Sequence, residues 1–441
     1  MRHGIRATVL TVVLGSCAAV IPAASAAQDG GPRPRLERLG VAADGRPGNG
    51  PSSDVSVSSN GRFAVFVSHA SNLVPGDTNG TADVFVRDLR RGTIERVSVA
   101  GDGRQADRES GSPSVSDDGR YVIFESSAGT LAPGSTPGQP NIFVRDRATR
   151  RTTVLVKEDK KQPTAQVHAP SVSADGRYVA FLSNRTDLVP GDTNAMTDAF
   201  VADRRTGTIK RVSVGSDGSQ ARLFSESPVI SADGGTVGFM NAGSTLGEKS
   251  APAAALGPRP RYFYVHDVRT GRTAKAATLP DGSGAGVDDI GLSPDGRFAL
   301  FSSRDAQIVP GDTNRKADVF AKDLRSGATR RISLATDGSQ ADGASRGAVM
   351  SADHRRVFFT SDASGLVPGD TNDRSDVFAR DLLTGAVERL GVRADGSQST
   401  AGDARGVRAD AAGRTVVFEA PGDLTPGGTP EQTEVYVRRR A

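Results

Sequence analysis

Short apolar runs of four to six residues, rich in Val, Phe, Ile and Ala, recur along the whole chain and are separated by clusters of Gly, Asp, Asn, Ser and Thr. The runs carry β-branched and aromatic residues and no 3.6-residue period, so they predict strands rather than helices. They come in a fixed order. A small apolar strand, as in Ala169–Ser173, meets an Asp-Gly or Asn-Gly turn, where Gly and Asn tolerate positive φ. A second strand follows, as in Arg177–Ser183 or Arg62–Ser68, and a loop reading LVPGDTN breaks it. A third strand, Asp83–Leu89 in its first copy, ends in an R-x-G or x-T-G turn. A fourth, Thr93–Val99, closes the unit.

This unit of about 58 residues occurs seven times. Its anchor is the turn glycine at Gly61, Gly119, Gly176, Gly234, Gly296 and Gly413, with His354 in the sixth copy. Five residues later stands Phe66, Phe124, Phe181, Phe239, Phe301, Phe359 or Phe418. A second aromatic follows at Phe85, Phe143, Phe200, Tyr264, Phe320, Phe378 or Tyr436. These positions take fourteen of the 22 Phe and Tyr residues, so one core is built per repeat. A period in this range means a stacked or radial array. Four short strands per unit describe propeller blades. A solenoid would need caps at both ends, and the sequence shows none.

The ends select a closed ring. The last copy stops after its third strand, Glu434–Arg440, and the missing fourth strand stands at the N-terminus, where RLERLGVAADG (35–45) repeats VERLGVRADG (387–396). The expected fold is therefore all-β: a seven-bladed β-propeller of four-stranded antiparallel blades over residues 35–440, closed by pairing of the N- and C-terminal strands. The S-x-D-G-R-φ-φ-x-F unit, as in Ser173–Phe181 and Ser293–Phe301, resembles the exported TolB-like (WD-repeat-like) propeller repeats of bacteria. The resemblance covers nearly all of the chain after its leader. It implies a binding scaffold in the cell envelope or outside it, and it transfers no activity.

Residues 1–27 read as an export signal, with Arg2 and Arg6, an apolar stretch from Ala7 to Ile21 and a small-residue cleavage site at Ala24-Ser25-Ala26. Residues 28–34 are a linker. The apolar stretch is too short to span a membrane. A secreted or envelope location follows. The sole cysteine, Cys17, lies in the signal within Leu14-Gly15-Ser16-Cys17, which resembles a permissive lipoprotein box; the alternatives are a lipid anchor there or an ordinary signal-helix cysteine. Without Arg2 and Arg6 the chain holds 53 basic against 51 acidic residues, which gives no case for nucleic acid. The repeated basic positions alternate with acids and read as a solvated outer face. A monomer is expected.

Two loops, LVPGDTN and DGSQA, should emerge on one face, opposite the tight turns. Four blades keep D-x-N-x-x-x-D in the first loop: Asp77/Asn79/Asp83, Asp192/Asn194/Asp198, Asp312/Asn314/Asp318 and Asp370/Asn372/Asp376. Oxygens spaced by two in a Gly-bearing loop suit calcium. The same residues also suit turns that bind their own backbone. In either case the loops should gather negative potential on that face. Blade two has Ser135, Pro137 and Asn141 at these places, blade seven has Gly428, Pro430 and Glu434, and blade four an Ala/Pro-rich stretch, Gly243–Arg261. Catalytic signals are poor. Gly343–Gly347 fits G-x-S-x-G but lies before a first strand, without the strand-to-helix elbow that motif needs. His69, His168, His266 and His354 occupy unrelated repeat positions. The expected function is thus a non-catalytic scaffold for a protein, peptide or glycan. The alternatives are a metal-dependent, polysaccharide-active propeller enzyme, which would need repeat-breaking His or carboxylates near the ring centre, or a purely structural envelope protein.

Overall fold

The computed structural model describes residues 35–156, 166–242 and 260–440, with the single positions 1 and 246. The signal region with Cys17, the linker 28–34 and most of the Ala/Pro-rich stretch of blade four lie outside the described residues. Within them, 28 strands form seven four-stranded antiparallel sheets. Blade three is typical: Val167–Val172, Tyr178–Ser183, Asp198–Asp203 and Thr208–Arg211 pair in that order. The seven-bladed propeller expected from the repeat is the fold of this chain.

Ring closure follows the expected plan. The seventh blade takes Arg405–Ala409, Thr415–Pro421 and Thr433–Arg439 from the C-terminus and Arg35–Arg38 from the N-terminus. Arg35 stands opposite Arg439 and Arg38 opposite Tyr436. The ladder ends at Arg38, with one more bond from Leu39 N–H to the Val435 carbonyl at 2.8 Å.

Side-chain alternation explains the near-continuous apolar runs. Successive residues of a strand point to opposite faces, and here both faces are covered. On the second strand of blade one, Phe66 packs with Val417, Val435 and Val437 of blade seven, while Val65 and Val67 pack with Phe124 of blade two. The two periodic aromatics sit directly opposite each other on the second and third strands, as Phe66 does to Phe85 and Phe181 to Phe200. All seven pairs stack at 5.5–5.9 Å between centroids, within the range where aromatic pairs add to plain burial. All fourteen rings are buried.

Cations stitch the blades together. Each sits on a third strand and donates to the end of the preceding blade's fourth strand. Arg87 reaches the carbonyls of Leu39 and Val41, Arg145 that of Ala100, Arg380 that of Ala335 and Arg438 that of Leu390. Lys322 reaches Thr278 Oγ1. At the opposite end of the blades the turn anchors have φ near +70°, where glycine is at ease. His354 accepts φ 56° there, its ring against Phe298.

Phe181→Ala is expected to destabilise the protein by about 3–5 kcal/mol, because it opens a cavity between two blades. Leu383→Ala, at a side chain 78% exposed, should change stability by no more than about 0.5 kcal/mol. Denaturant midpoints of the two variants check the difference.

Candidate functional site

The structure brings the LVPGDTN and DGSQA loops together on one face. Thr78 N–H donates to Gln105 Oε1, Gln105 Nε2 returns a bond to Thr78 Oγ1, and Asn79 Nδ2 donates to the Ala106 carbonyl. Each D-x-N-x-x-x-D set converges, but around a guanidinium of the chain itself. Arg96, from the fourth strand, lies 3.0 Å from Asp77 and 3.4 Å from Asp83. Asp83 also accepts from Ser98 Oγ and from Asn79 Nδ2. Arg211 repeats this with Asp192 and Asp198, with Asn194 bound to Asp198; Arg331 does so with Asp312, Asp318 and Asn314, and Arg389 with Asp370, Asp376 and Asn372.

One expectation is corrected by this geometry. These arginines are not a solvated outer face: their side chains are only 7–11% exposed. Each pair of carboxylates faces one guanidinium, which offsets part of its negative charge. The copies vary in concert. Blade two, which lacks both aspartates, has Val154 in the arginine's place opposite Phe143. Blade seven keeps a reduced form, with Arg38 opposite Tyr436 and Glu434 in the place of the second aspartate.

The site that sequence reading passed over is the central channel. The first strand of every blade lines it, and one residue of that strand, two before its end serine (Asp410 in blade seven), is Ser56, Ser114, Ser171, Val229, Gly291, Val349 or Arg408. Six are small; the seventh is a long cation. Arg408 extends into a cavity of about 530 Å³ that Asp54, Asp289 and Glu419 also line. Burial lowers its pKa from the ordinary arginine value, and the fields of Glu419, Asp54 and Asp289 oppose that shift. Glu419 Oε1 accepts the Asp54 N–H at 2.9 Å and Oε2 accepts from Arg405 Nε at 3.0 Å. Glu125 holds the corresponding position in blade two and accepts the Ala169 N–H at 3.2 Å. Beside it His168 is half-buried; burial lowers its pKa, against the pull of Glu125.

Below Arg408 the channel narrows to a space of about 190 Å³. A relay of backbone bonds lines this end: Asp117 donates to Ala174, Ala174 to Ala232, Ala232 to Pro294, Ala352 to Ala411 and Ala411 to Ser59, at 2.7–2.8 Å. Pro294 has no N–H with which to continue it. The wider cavity therefore belongs to the half of the channel nearer the long loops. The clue in the sequence was a departure from the repeat rather than a motif: Asp54, Arg408, Glu125 and Glu419 are charged where most copies are small or apolar. His69, His266 and His354 do not join the channel cluster. Ser345 of the G-x-S-x-G match is fully buried against Ser361 Oγ, at 2.8 Å.

No protein-family model matches the chain, and no curated protein sequence does. Solved structures do match in fold. An oligogalacturonate lyase in complex with manganese aligns with a TM-score of 0.56 at 11% identity, covering 92% of this chain and 93% of that one. An oligogalacturonate lyase from Vibrio parahaemolyticus aligns with 0.55 at 12%, covering 93% and 95%. The β-propeller domain of the Trilobed protease from Pyrococcus furiosus, described as an open velcro topology, aligns with 0.53 at 12%, covering 88% and 93%; here the ring is closed by strand pairing.

The expectation of a non-catalytic scaffold is corrected on two grounds. The lyase alignments span more than nine-tenths of both chains, so an architecture of this kind serves as an enzyme with no added catalytic domain. The reason for setting an enzyme aside, the want of repeat-breaking His or carboxylates near the ring centre, also fails at Asp54, Asp289 and Glu419. A metal is a separate matter. Among the described residues no three His, Cys, Asp or Glu side chains converge to hold one, and the channel carboxylates surround a guanidinium. The side chains present do not fit a resident manganese ion. Among the described residues no helix is long and apolar enough to cross a membrane.

Glu434 supplies a pH test of the closing blade. It is almost fully buried, one of its oxygens has no hydrogen-bond partner, and burial pushes its pKa from 4.5 up to about 7, against the pull of Arg38. The folded state thus keeps a proton that the unfolded state releases above pH 4.5, so stability falls as pH rises from about 4.5 to about 7. Glu434→Gln is expected to flatten this slope and to raise stability at pH 7.5 by about 1–3 kcal/mol. Melting curves at pH 5, 6 and 7.5 check it.

Proposed function

We propose that this chain is an exported enzyme that cleaves uronate-containing oligosaccharides in its central channel by β-elimination. The observation that carries the reading is Arg408, a lone cation set among carboxylates on the axis of an otherwise small-residue ring. The fold shared with two oligogalacturonate lyases supports the substrate class. The chemistry agrees. Removing a proton from the carbon next to a uronate carboxylate builds negative charge on that carboxylate. A guanidinium beside the substrate carboxylate stabilises such charge as it develops. Of the carboxylates around it, Asp289 is half-buried, and a carboxylate so placed can take and return a proton. No step is routed through a metal.

The reading of residues 1–27 as an export signal supports an activity outside the cytoplasm, and N-terminal sequencing of the secreted protein tests that proposal. The four loop clamps are read as structural. Millimolar calcium is then expected to leave the melting temperature unchanged, whereas a ligand of the native state would raise it by mass action. Asp192→Ala should lower the melting temperature equally with and without calcium.

The deciding experiment incubates the purified protein with oligogalacturonate in the presence of chelator and follows the ultraviolet absorbance of the new conjugated double bond. Turnover is expected, and Arg408→Ala should reduce kcat/KM roughly 100-fold. No absorbance change with any uronate oligomer would overturn the reading.

A further inference from the structure

Blade five differs from all the others at the channel wall. In the six remaining blades the first strand carries a bulge, marked by a register shift. A residue in the left-handed region sits at each: Asp54, Ser112, Ala169, Ser227, Gly347 and Gly406, with φ between 47° and 66°. Blade five has none. Asp289, Ile290, Gly291 and Leu292 pair with Ser302, Phe301, Leu300 and Ala299 in unbroken register. Bulges aim side chains, and their presence or loss near a site redirects them.

The straight strand sets Asp289 beside the bulge of blade six. Its Oδ2 accepts from Ser302 Oγ at 2.6 Å and from the Gly347 N–H at 3.1 Å. In two other seams that bulge amide is held by Glu125 or Glu419, which come from second strands. Asp289 does the same work from the first strand, which lies nearest the axis. Its Oδ1 has no hydrogen bond among the described residues, and the residue lines the same cavity as Arg408. The other candidates are less suited. Glu419 has both oxygens engaged, and Asp54 is an exposed residue on its bulge.

We infer that Asp289 is the catalytic proton carrier of the channel, an assignment that rests on the uronate-cleaving reading above. Its Oδ1 takes the proton from the carbon next to the substrate carboxylate. The C–H electron pair becomes the new carbon–carbon double bond. The neighbouring carbon–oxygen glycosidic bond breaks, and the departing oxygen receives the proton back from Asp289. One chain becomes two, no external reagent is used, and the carboxylate is restored. Burial raises the Asp289 pKa, with Ser302 and the Gly347 amide acting against it. The charged groups around it are Asp288, just before its own strand, Arg346 on the first strand of blade six and Arg408 from blade seven.

The test uses the full secreted chain with Asp289→Asn. Calorimetry with oligogalacturonate should show affinity within about threefold of wild type, while kcat falls roughly 1,000-fold. The acidic limb of the wild-type kcat/KM profile should be absent from the residual activity. Because Asp289→Asn also alters a blade seam, Ser302→Ala is the second variant. It removes one bond to the carboxylate, so its acidic limb should move to higher pH with binding unchanged. Wild-type kcat in Asp289→Asn, or an unmoved limb in Ser302→Ala, overturns the assignment while leaving the proposed function standing. A wild-type protein that neither binds nor cleaves any oligouronate overturns both.

Discussion

Each blade is a sheet with two apolar faces, and that constraint governs everything else in the molecule. A sheet that buries only one face can rest on a single partner and turn the other to water. Here Phe66 points one way and Val65 and Val67 the other, so neither face of the blade can be left bare. Each blade then needs a neighbour on both sides, and a row of such sheets has no stable end. The ring must close. The chain meets that demand by giving its first strand to its last blade, which joins the two termini by four paired positions and the Leu39 bond.

Closure explains where the polar groups went. With the faces sealed, many arginines sit at the seams and the loop ends, and two sets of them do a defined job there. Third-strand cations bind the carbonyls of the blade before. Fourth-strand arginines hold the loop acids of their own blade. The channel is the one interior surface that packing leaves in contact with water, so it is the place where a charge such as Arg408 can stay available to a ligand.

The fold was legible because it is written in single-residue spacings that recur: turn glycine, Phe five residues on, second aromatic near nineteen. One copy would have been ambiguous; seven agree. The site was harder to read for two physical reasons. The clamp arginines lie thirteen residues beyond the last aspartate of each loop, so the acids were visible as a cluster and their counter-charge was not. The channel residues form no motif at all. Arg408 and Glu419 come from blade seven, Asp54 from blade one and Asp289 from blade five, and only the curvature of the ring makes them neighbours. Asp289 is the extreme case, since its position depends on a bulge that is missing, and the absence of one residue in a strand leaves no mark of its own in the sequence.

The arginine clamps have a consequence for how such a chain can change. Each clamp draws its acids, its amide and its guanidinium from a single blade, so no clamp borrows a charged group from its neighbours. A duplicated unit can therefore drift by itself. Blade two has shed the acids and the arginine as a set, and blade four carries a long Ala/Pro-rich stretch in the place of its loop. Meanwhile Asp77, Asp192, Asp312 and Asp370 remain in register with their partners. The rim of the ring is in this sense seven separate experiments on one scaffold, each free to fail or lengthen without unsettling the wall that encloses Arg408.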